Sequence, residues 1–172
     1  GIIVGSSAVL KDSSFVYAFG VKEPGTHETY LLRFENNQLE NGDLSTMEWW
    51  INNTWTKNVS EVKDSDKLFI SQTEFSVHFD EKLSKYIQIQ TVGFGHSSLG
   101  YRIADCLQGP WSELVTFYKP HFKNQKEFAY TARAHPELKA DGLLITYNVN
   151  NFDFGQLVND ETIYFPRIVT LK

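Results

Sequence analysis

An alternating row of polar residues, Arg133, His135 and Glu137, is the arrangement in this chain best suited to chemistry. On a β-strand the three side chains would point to one face, because successive side chains alternate. Such groups must be paired or must face water, since burying unpaired polar groups is costly. The row therefore predicts a water-filled site in which Glu137 is catalytic and Arg133 and His135 bind the substrate. The alternative is an internal ion pair between Arg133 and Glu137 that only stabilises the fold.

A second carboxylate, Glu74, directly precedes the apolar run Phe75–Val77. It is predicted to act as a catalytic acid or to accept a hydrogen bond from a substrate hydroxyl, the alternative being a solvated loop residue. Arg102 is a further candidate for substrate binding. It has counterparts at Arg33 and Arg167 in similar sequence surroundings. Recurrence of one residue favours a structural role, such as an ion pair or packing of the side-chain stem on aromatic rings.

Metal and cofactor chemistry has little support in the sequence. No spacing of His, Asp and Glu resembles a transition-metal site, and the single Cys106 excludes a multi-cysteine site and an internal disulfide. No cofactor is predicted, although a Ca²⁺ ion stays open because oxygen ligands leave a diffuse sequence trace. Cys106 is expected to be buried and inert. Trp49, Trp50 and Trp55 could offer a stacking surface to a sugar, and one of the adjacent pair must face away from the core.

The elements that position these residues are predicted to be β-strands. The apolar runs are short, rich in aromatic and β-branched residues, and bounded by Gly, Asp, Asn or Ser. They recur in three units, at about 5–56, 73–118 and 128–172. The first two units have four runs each and the third has three, starting with His135–Lys139. Four antiparallel strands make up a β-propeller blade. The best helical candidate, at 60–67, is interpreted as a loop with one helical turn.

Several segments resemble a known family. Ile103–Ser112, with its Gly-Pro-Trp end, is similar to a sequence at blade ends of five-bladed glycoside hydrolases, the arabinanase, xylosidase and related furanosidase-type propellers. Ala134–Leu138, Gly142–Asn150 and Phe165–Val169 resemble the closing part of an uncharacterised branch of that superfamily. Members of this branch are bacterial, often exported, and described as glycosyl hydrolases or as domains of unknown function. The resemblance is good over about residues 73–172.

The resemblance implies an all-β fold, a β-propeller of the five-bladed glycosidase type, of which residues 1–172 supply about three blades as one partial domain. It also implies carboxylates around a central channel, where Glu74 and Glu137 are the matching residues. At the corresponding place the first unit has Gly5-Ser6-Ser7 and no acidic residue, so the expected catalytic base is missing. Two functions stay open: a glycoside hydrolase acting on a polysaccharide or oligosaccharide, and a non-catalytic carbohydrate-binding or scaffold propeller.

Composition limits the partners. A net charge of −5 argues against nucleic acid, whose phosphates attract basic proteins. No run approaches the roughly 20 apolar residues of a membrane span. The aromatic content of 15% suits both blade packing and sugar stacking, and the resemblance implies carbohydrate as the partner. The resemblance implies a secreted, periplasmic or cell-surface protein, although no signal peptide is visible. Since three units leave a propeller open, the missing blades are expected from a longer chain or from a second copy.

Overall fold

The computed structural model describes residues 1–172 and consists mainly of antiparallel β-sheet. Thirteen strands form three separate sheets. The helices are short: α1 (Asn36–Glu40) has five residues and α2 (Phe154–Asn159) has six. Neither helix is long and apolar enough to cross a lipid bilayer. The prediction of an all-β fold is confirmed, whereas the propeller stays a prediction.

The first sheet has six strands, in the order β1-β2-β3-β4-β5, with β6 paired to β3. They are β1 (Ile2–Lys11), β2 (Phe15–Lys22), β3 (Glu28–Glu35), β4 (Glu48–Ile51), β5 (Thr54–Thr56) and β6 (Phe69–Ile70). Along β4 the side chains alternate, so Trp49 is 4% exposed in the core and Trp50 is only half-buried. Two 3-10 turns, Val59–Glu61 and Asp64–Asp66, confirm the predicted loop with helical character.

The second and third sheets have four and three strands, in the orders β10-β9-β8-β7 and β11-β12-β13. The strands are β7 (Phe75–Asp80), β8 (Lys85–Val92), β9 (Ser98–Ala104), β10 (Val115–Tyr118), β11 (Glu127–Ala134), β12 (Leu143–Asn151) and β13 (Arg167–Leu171). Apolar side chains from both sheets, including Ile89, Leu99, Ile145 and Val149, form one buried cluster. Burial of these aliphatic groups holds β7 and β8 against β11.

The chain divides into two compact units. Unit 1 comprises residues 1–73 and 104–111, and it contains the first sheet. Unit 2 comprises residues 74–103 and 112–172, and it contains the other two sheets apart from Ala104 at the end of β9. In unit 1, the Trp111 ring packs edge-on against Phe19 and Phe69, with centroid distances of 6.4 and 5.3 Å. The predicted single domain stays a prediction.

Three details of the prediction were wrong. The first strand of the third sheet is β11, whereas His135–Lys139 forms a turn in which the Leu138 N–H donates to the His135 carbonyl at 3.1 Å. Pro136 lacks an N–H and cannot continue a strand ladder. The third apolar run of this unit, Tyr164–Ile168, was expected to be a strand, but the strand begins only at Arg167. Cys106 is exposed, because β9 ends at Ala104 and the thiol lies in the following turn.

Candidate functional site

Unit 2 contains a cleft of about 1000 Å³. Its walls come from the end of β7 and the turn after it, from β9, from the turn after β11, and from the end of β13. The lining residues include His78, Phe79, Asp80, Tyr101, His135 and Glu137. Two of the predicted site residues, His135 and Glu137, thus share one concave surface with another titratable residue, His78.

His135 is held through both of its ring nitrogens. Nδ1 lies 3.0 Å from Oε1 of Glu137, and Nε2 lies 2.8 Å from Oγ1 of Thr146. The His135 backbone N–H also donates to the Leu144 carbonyl at 2.8 Å, which fixes the residue just beyond the end of β11. An ionised carboxylate only accepts, so Nδ1 donates to Glu137, and Nε2 is the nitrogen that meets the Thr146 hydroxyl. These contacts fix both the tautomer and the orientation of the ring.

Glu137 is an ionised carboxylate in this setting. Its own backbone N–H and then the His135 side chain hydrogen-bond to it, and these contacts lower its pKa below the ordinary value. The side chain remains 64% exposed to the cleft and solvent. A general acid needs a raised pKa, so the lowered pKa of Glu137 favours a base or a hydrogen-bond acceptor over an acid.

His78 is the cleft residue that the sequence did not single out. It lies on β7, is 9% exposed, and neither ring nitrogen has a hydrogen-bond partner. Burial lowers its pKa, and the negative charges of Asp80 and Glu137 only partly oppose this effect. The ring is therefore neutral at pH 7, and its N–H donor and its acceptor nitrogen are both buried and unpaired. Its only sequence signal is a titratable ring within an apolar strand run.

Glu74 does not line this cleft. It lies just before β7, where its carboxylate accepts a hydrogen bond from the Thr131 hydroxyl. Thr131 occupies an irregularity in the β11–β12 pairing and has a φ of 54°, which is rare for a β-branched residue. Burial, a hydrogen bond with Tyr164 and the nearby charge of Glu74 together raise the pKa of Tyr130 to about 12. Glu74 thus belongs to a separate polar cluster of unit 2.

The two predicted substrate-binding arginines also lie away from the cleft lining. Arg102 stands on β9 between Tyr101 and Ile103, which do line the cleft, so its side chain points to the opposite face of the sheet. It donates to the Ser112 carbonyl at 2.9 Å. Arg133 is on β11, one residue before the strand ends. The predicted row of three side chains is therefore broken at Ala134, where β11 gives way to the turn.

The recurrent arginines make different structural contacts. Each lies on the third strand of its sheet in chain order, β3, β9 or β13. Arg33 is stacked between the rings of Phe15 and Trp55, at 4.0 and 4.2 Å, and forms an ion pair with Glu48 at 2.7 Å. Arg167 donates to a backbone carbonyl, that of His121, at 3.1 Å. For Arg33, the predicted packing against aromatic rings is confirmed.

Metal binding finds no support in the side-chain arrangement. The structure brings together no group of three or more His, Cys, Asp and Glu residues that could hold an ion.

Comparison with known proteins places the chain in a family. The crystal structure of a presumed hydrolase from Bacteroides ovatus ATCC 8483 matches with a TM-score of 0.70 and 18% sequence identity. The match covers 94% of this chain and 43% of the other, so the chain spans less than half the length of that protein. At this identity the match shows a shared fold. No curated protein matches significantly. The family described as "Domain of unknown function (DUF4185)" matches residues 4–153, and the chain belongs to this family.

Proposed function

We propose that this chain is part of a glycoside hydrolase-like, carbohydrate-active protein, and that the cleft of unit 2 binds an oligosaccharide. The observation that carries the proposal is His78, a buried neutral imidazole with a free donor and a free acceptor in the wall of the cleft. A sugar hydroxyl both donates and accepts hydrogen bonds, so a pair of hydroxyls satisfies both nitrogens once the ring, whose nitrogens are buried here, turns towards the cleft. Phe79, 46% exposed, and Tyr101 offer aromatic surface beside it.

In the enzymatic form of the proposal, Glu137 removes a proton from the attacking water. His135 positions the carboxylate and keeps it ionised. Hydrolysis also needs a second carboxyl group to protonate the leaving oxygen. Glu74 was predicted for such a role and does not line the cleft. Asp80 and Glu81 are the other carboxyl groups in the cleft lining, so one of them or a residue outside this chain would supply the acid.

Binding without cleavage is the second candidate function. It is favoured by the absence of Glu74 from the cleft lining and by the lowered pKa of Glu137. In this form His78, His135 and Glu137 are hydrogen-bonding groups that select the sugar. Fold similarity to a hydrolase does not decide between the two forms, because function depends on the site.

The proposal includes a propeller and an extracellular location. The three sheets are interpreted as blades, and since propellers have about four to eight blades, further blades come from the rest of the protein or from a second copy. The proposed export rests on the resemblance to a branch of glycosidases whose members are often exported. Cell fractionation with an antibody against the chain tests the location, and recovery in the cytoplasm would refute it.

The test of function uses arabino- and xylo-oligosaccharides in calorimetric titrations and in a reducing-end release assay. Wild type is expected to bind at least one of them, and Glu137→Gln and His78→Phe are expected to weaken that binding about tenfold. Glu161→Gln, at an exposed residue that does not line the cleft, is the matched control. Release that is lost in Glu137→Gln supports the enzyme, binding without release supports the binding protein, and wild-type binding by both variants refutes the site.

A further inference from the structure

Unit 1 has a smaller pocket, of about 410 Å³, that is independent of the cleft described above. We name it the Trp50 pocket. Its walls come from the β4–β5 hairpin, the loop before β6 and the end of the 104–111 segment. Its lining residues include Trp50, Asn52, Asn53, Asp66, Gln108 and Trp111. Two indole rings and three side-chain amides thus surround one concave surface.

The hairpin turn at the rim is fixed by its backbone. Asn52 and Asn53 have φ values of 49° and 59°, as required of the two central residues of a tight hairpin turn, and Asn tolerates this conformation well. The Asn52 N–H donates to Oδ1 of Asp66 at 3.2 Å, which ties the turn to the neighbouring loop. The backbone that carries both amide groups is therefore set before any ligand arrives.

The indole rings are also held in place. Trp111 donates from Nε1 to the Leu107 carbonyl at 3.1 Å, and its ring edge packs on Phe19 and Phe69. Trp50 packs against Trp55 with a centroid distance of 5.2 Å and a tilt of 59°. Rigid aromatic groups lose little conformational entropy when a ligand binds, which favours recognition.

The charged side chains of the pocket are hydrogen-bonded to the protein, whereas its side-chain amides are not. Both carboxylate oxygens of Asp66 accept backbone N–H groups, from Asn52 and Lys63. Lys67 donates from Nζ to the Asp64 carbonyl at 3.2 Å. The side-chain amides of Asn52, Asn53 and Gln108 make no hydrogen bond to the protein. The groups left to meet a ligand are therefore uncharged, and each offers both donors and an acceptor.

We propose that the Trp50 pocket binds a neutral saccharide. Indole surface from Trp50 and Trp111 contacts the C–H face of a sugar ring, and the three amides hydrogen-bond to its hydroxyls. A charged sugar is disfavoured because Asp66 and Lys67 have opposite charges and are both engaged within the protein. The pocket would hold a chain at a second point, whether or not the unit 2 cleft cleaves it.

The test measures binding of short arabino-, xylo- and cello-oligosaccharides by calorimetry and intrinsic tryptophan fluorescence. We expect at least one of them to bind wild type saturably and to change its fluorescence. Gln108→Ala and Asn53→Gly are expected to weaken this binding about threefold to tenfold through loss of hydrogen bonds, and Trp50→Ala about tenfold or more. Asn53→Gly keeps the left-handed backbone accessible while it removes the amide.

Three controls make the result decisive. Gln125→Ala, at an exposed residue outside both pockets, should bind as wild type does. Thermal unfolding of each variant identifies loss of fold, and Gln108→Ala stands as evidence if Trp50→Ala unfolds. Loss of binding in Gln108→Ala but not in Glu137→Gln supports this site. Binding that depends only on Glu137 and His78, binding of none of the sugars, or binding of a proline-rich peptide instead of sugars would overturn it.

Discussion

The unpaired imidazole of His78 lowers the stability of the folded state but suits the binding of a ligand. Leaving a buried polar group without a partner costs about 1–3 kcal/mol, and both nitrogens of this ring lack one. Nothing in the packing of β7 against β8 requires an imidazole, since its register partner is Ile87. A group that destabilises the folded state and faces a cleft is better explained by a ligand than by the fold.

The first prediction is that His78→Phe makes the protein more stable and less able to bind sugar. Phenylalanine fills a similar volume and removes both unpartnered nitrogens, so the free energy of unfolding should rise by about 1 kcal/mol. Chemical denaturation measures the change, and calorimetry measures the binding. A variant that is less stable than wild type would mean that the imidazole supports the fold.

The second prediction concerns pH and the same ring. The pKa of His78 is lower in the folded state than the 6.5 of a free imidazole, so the unfolded chain takes up a proton first as the pH falls. The His78 contribution to stability is therefore complete above about pH 6.5 and declines below it. Wild type should lose more stability than His78→Phe between pH 7.5 and pH 5.5. Equal losses in parallel denaturant titrations would contradict the lowered pKa.

At the scale of elements, β11 matters most to the placement of polar groups. Its pairing with β12 shifts between Tyr130 and Arg133, and Thr131 takes a left-handed backbone conformation there. The Thr131 hydroxyl is thereby directed to Glu74. Strain of this kind costs of order 1–3 kcal/mol and persists only where surrounding contacts maintain it.

The third prediction is that glycine is better than alanine at position 131. Thr131→Ala loses the hydrogen bond to Glu74 and keeps the strain, whereas Thr131→Gly loses the same bond and relieves the strain. The glycine variant should be more stable than the alanine variant by about 1 kcal/mol, the reverse of the usual order in strands. Thermal unfolding of the two variants compares them, and the usual order would show that Thr131 is unstrained.

The sequence predicted strands well where a strand corresponds to a local run of apolar residues. It predicted them poorly in the third unit, where matching the repeat placed the first strand over Pro136. Strands β2, β3, β7 and β8 lie where short apolar runs were found. The third unit was started at His135 to match the other two, although the alternating run before it is the strand. His135 and Glu137 contact each other although the predicted strand is a turn, because they are close neighbours in the sequence. The place of His78 depends on the packing of β7 against β11, which no local pattern contains.

At the scale of the whole molecule, β13 is an exposed edge. It pairs only with β12, and Ile168 on this strand is 67% exposed. An edge with unpaired backbone groups and apolar side chains is a template for pairing with another strand. The proposal of further blades implies that such an edge is covered in the complete assembly.

The fourth prediction is that the 172-residue chain alone associates through this edge. Light scattering should show a mass that rises with concentration, and Ile168→Lys should reduce the rise, because a charged side chain on an edge strand opposes pairing. Val158→Lys, on α2 with a similar exposure of 66%, is the matched control. A concentration-independent monomer mass for wild type would argue against an open edge that needs a partner.

The return of residues 104–111 to unit 1 has a consequence for synthesis on the ribosome. Trp111 packs on Phe19 and Phe69, yet it is translated after β7, β8 and β9. At a synthesis rate of roughly 5–20 residues per second, Phe19 and Phe69 are made several seconds before Trp111. During that interval the early part of the chain carries uncovered aromatic surface, which chaperones recognise. Unit 1 is therefore first in the sequence and late to complete, and a ribosome stalled before Trp111 would hold an aggregation-prone nascent chain.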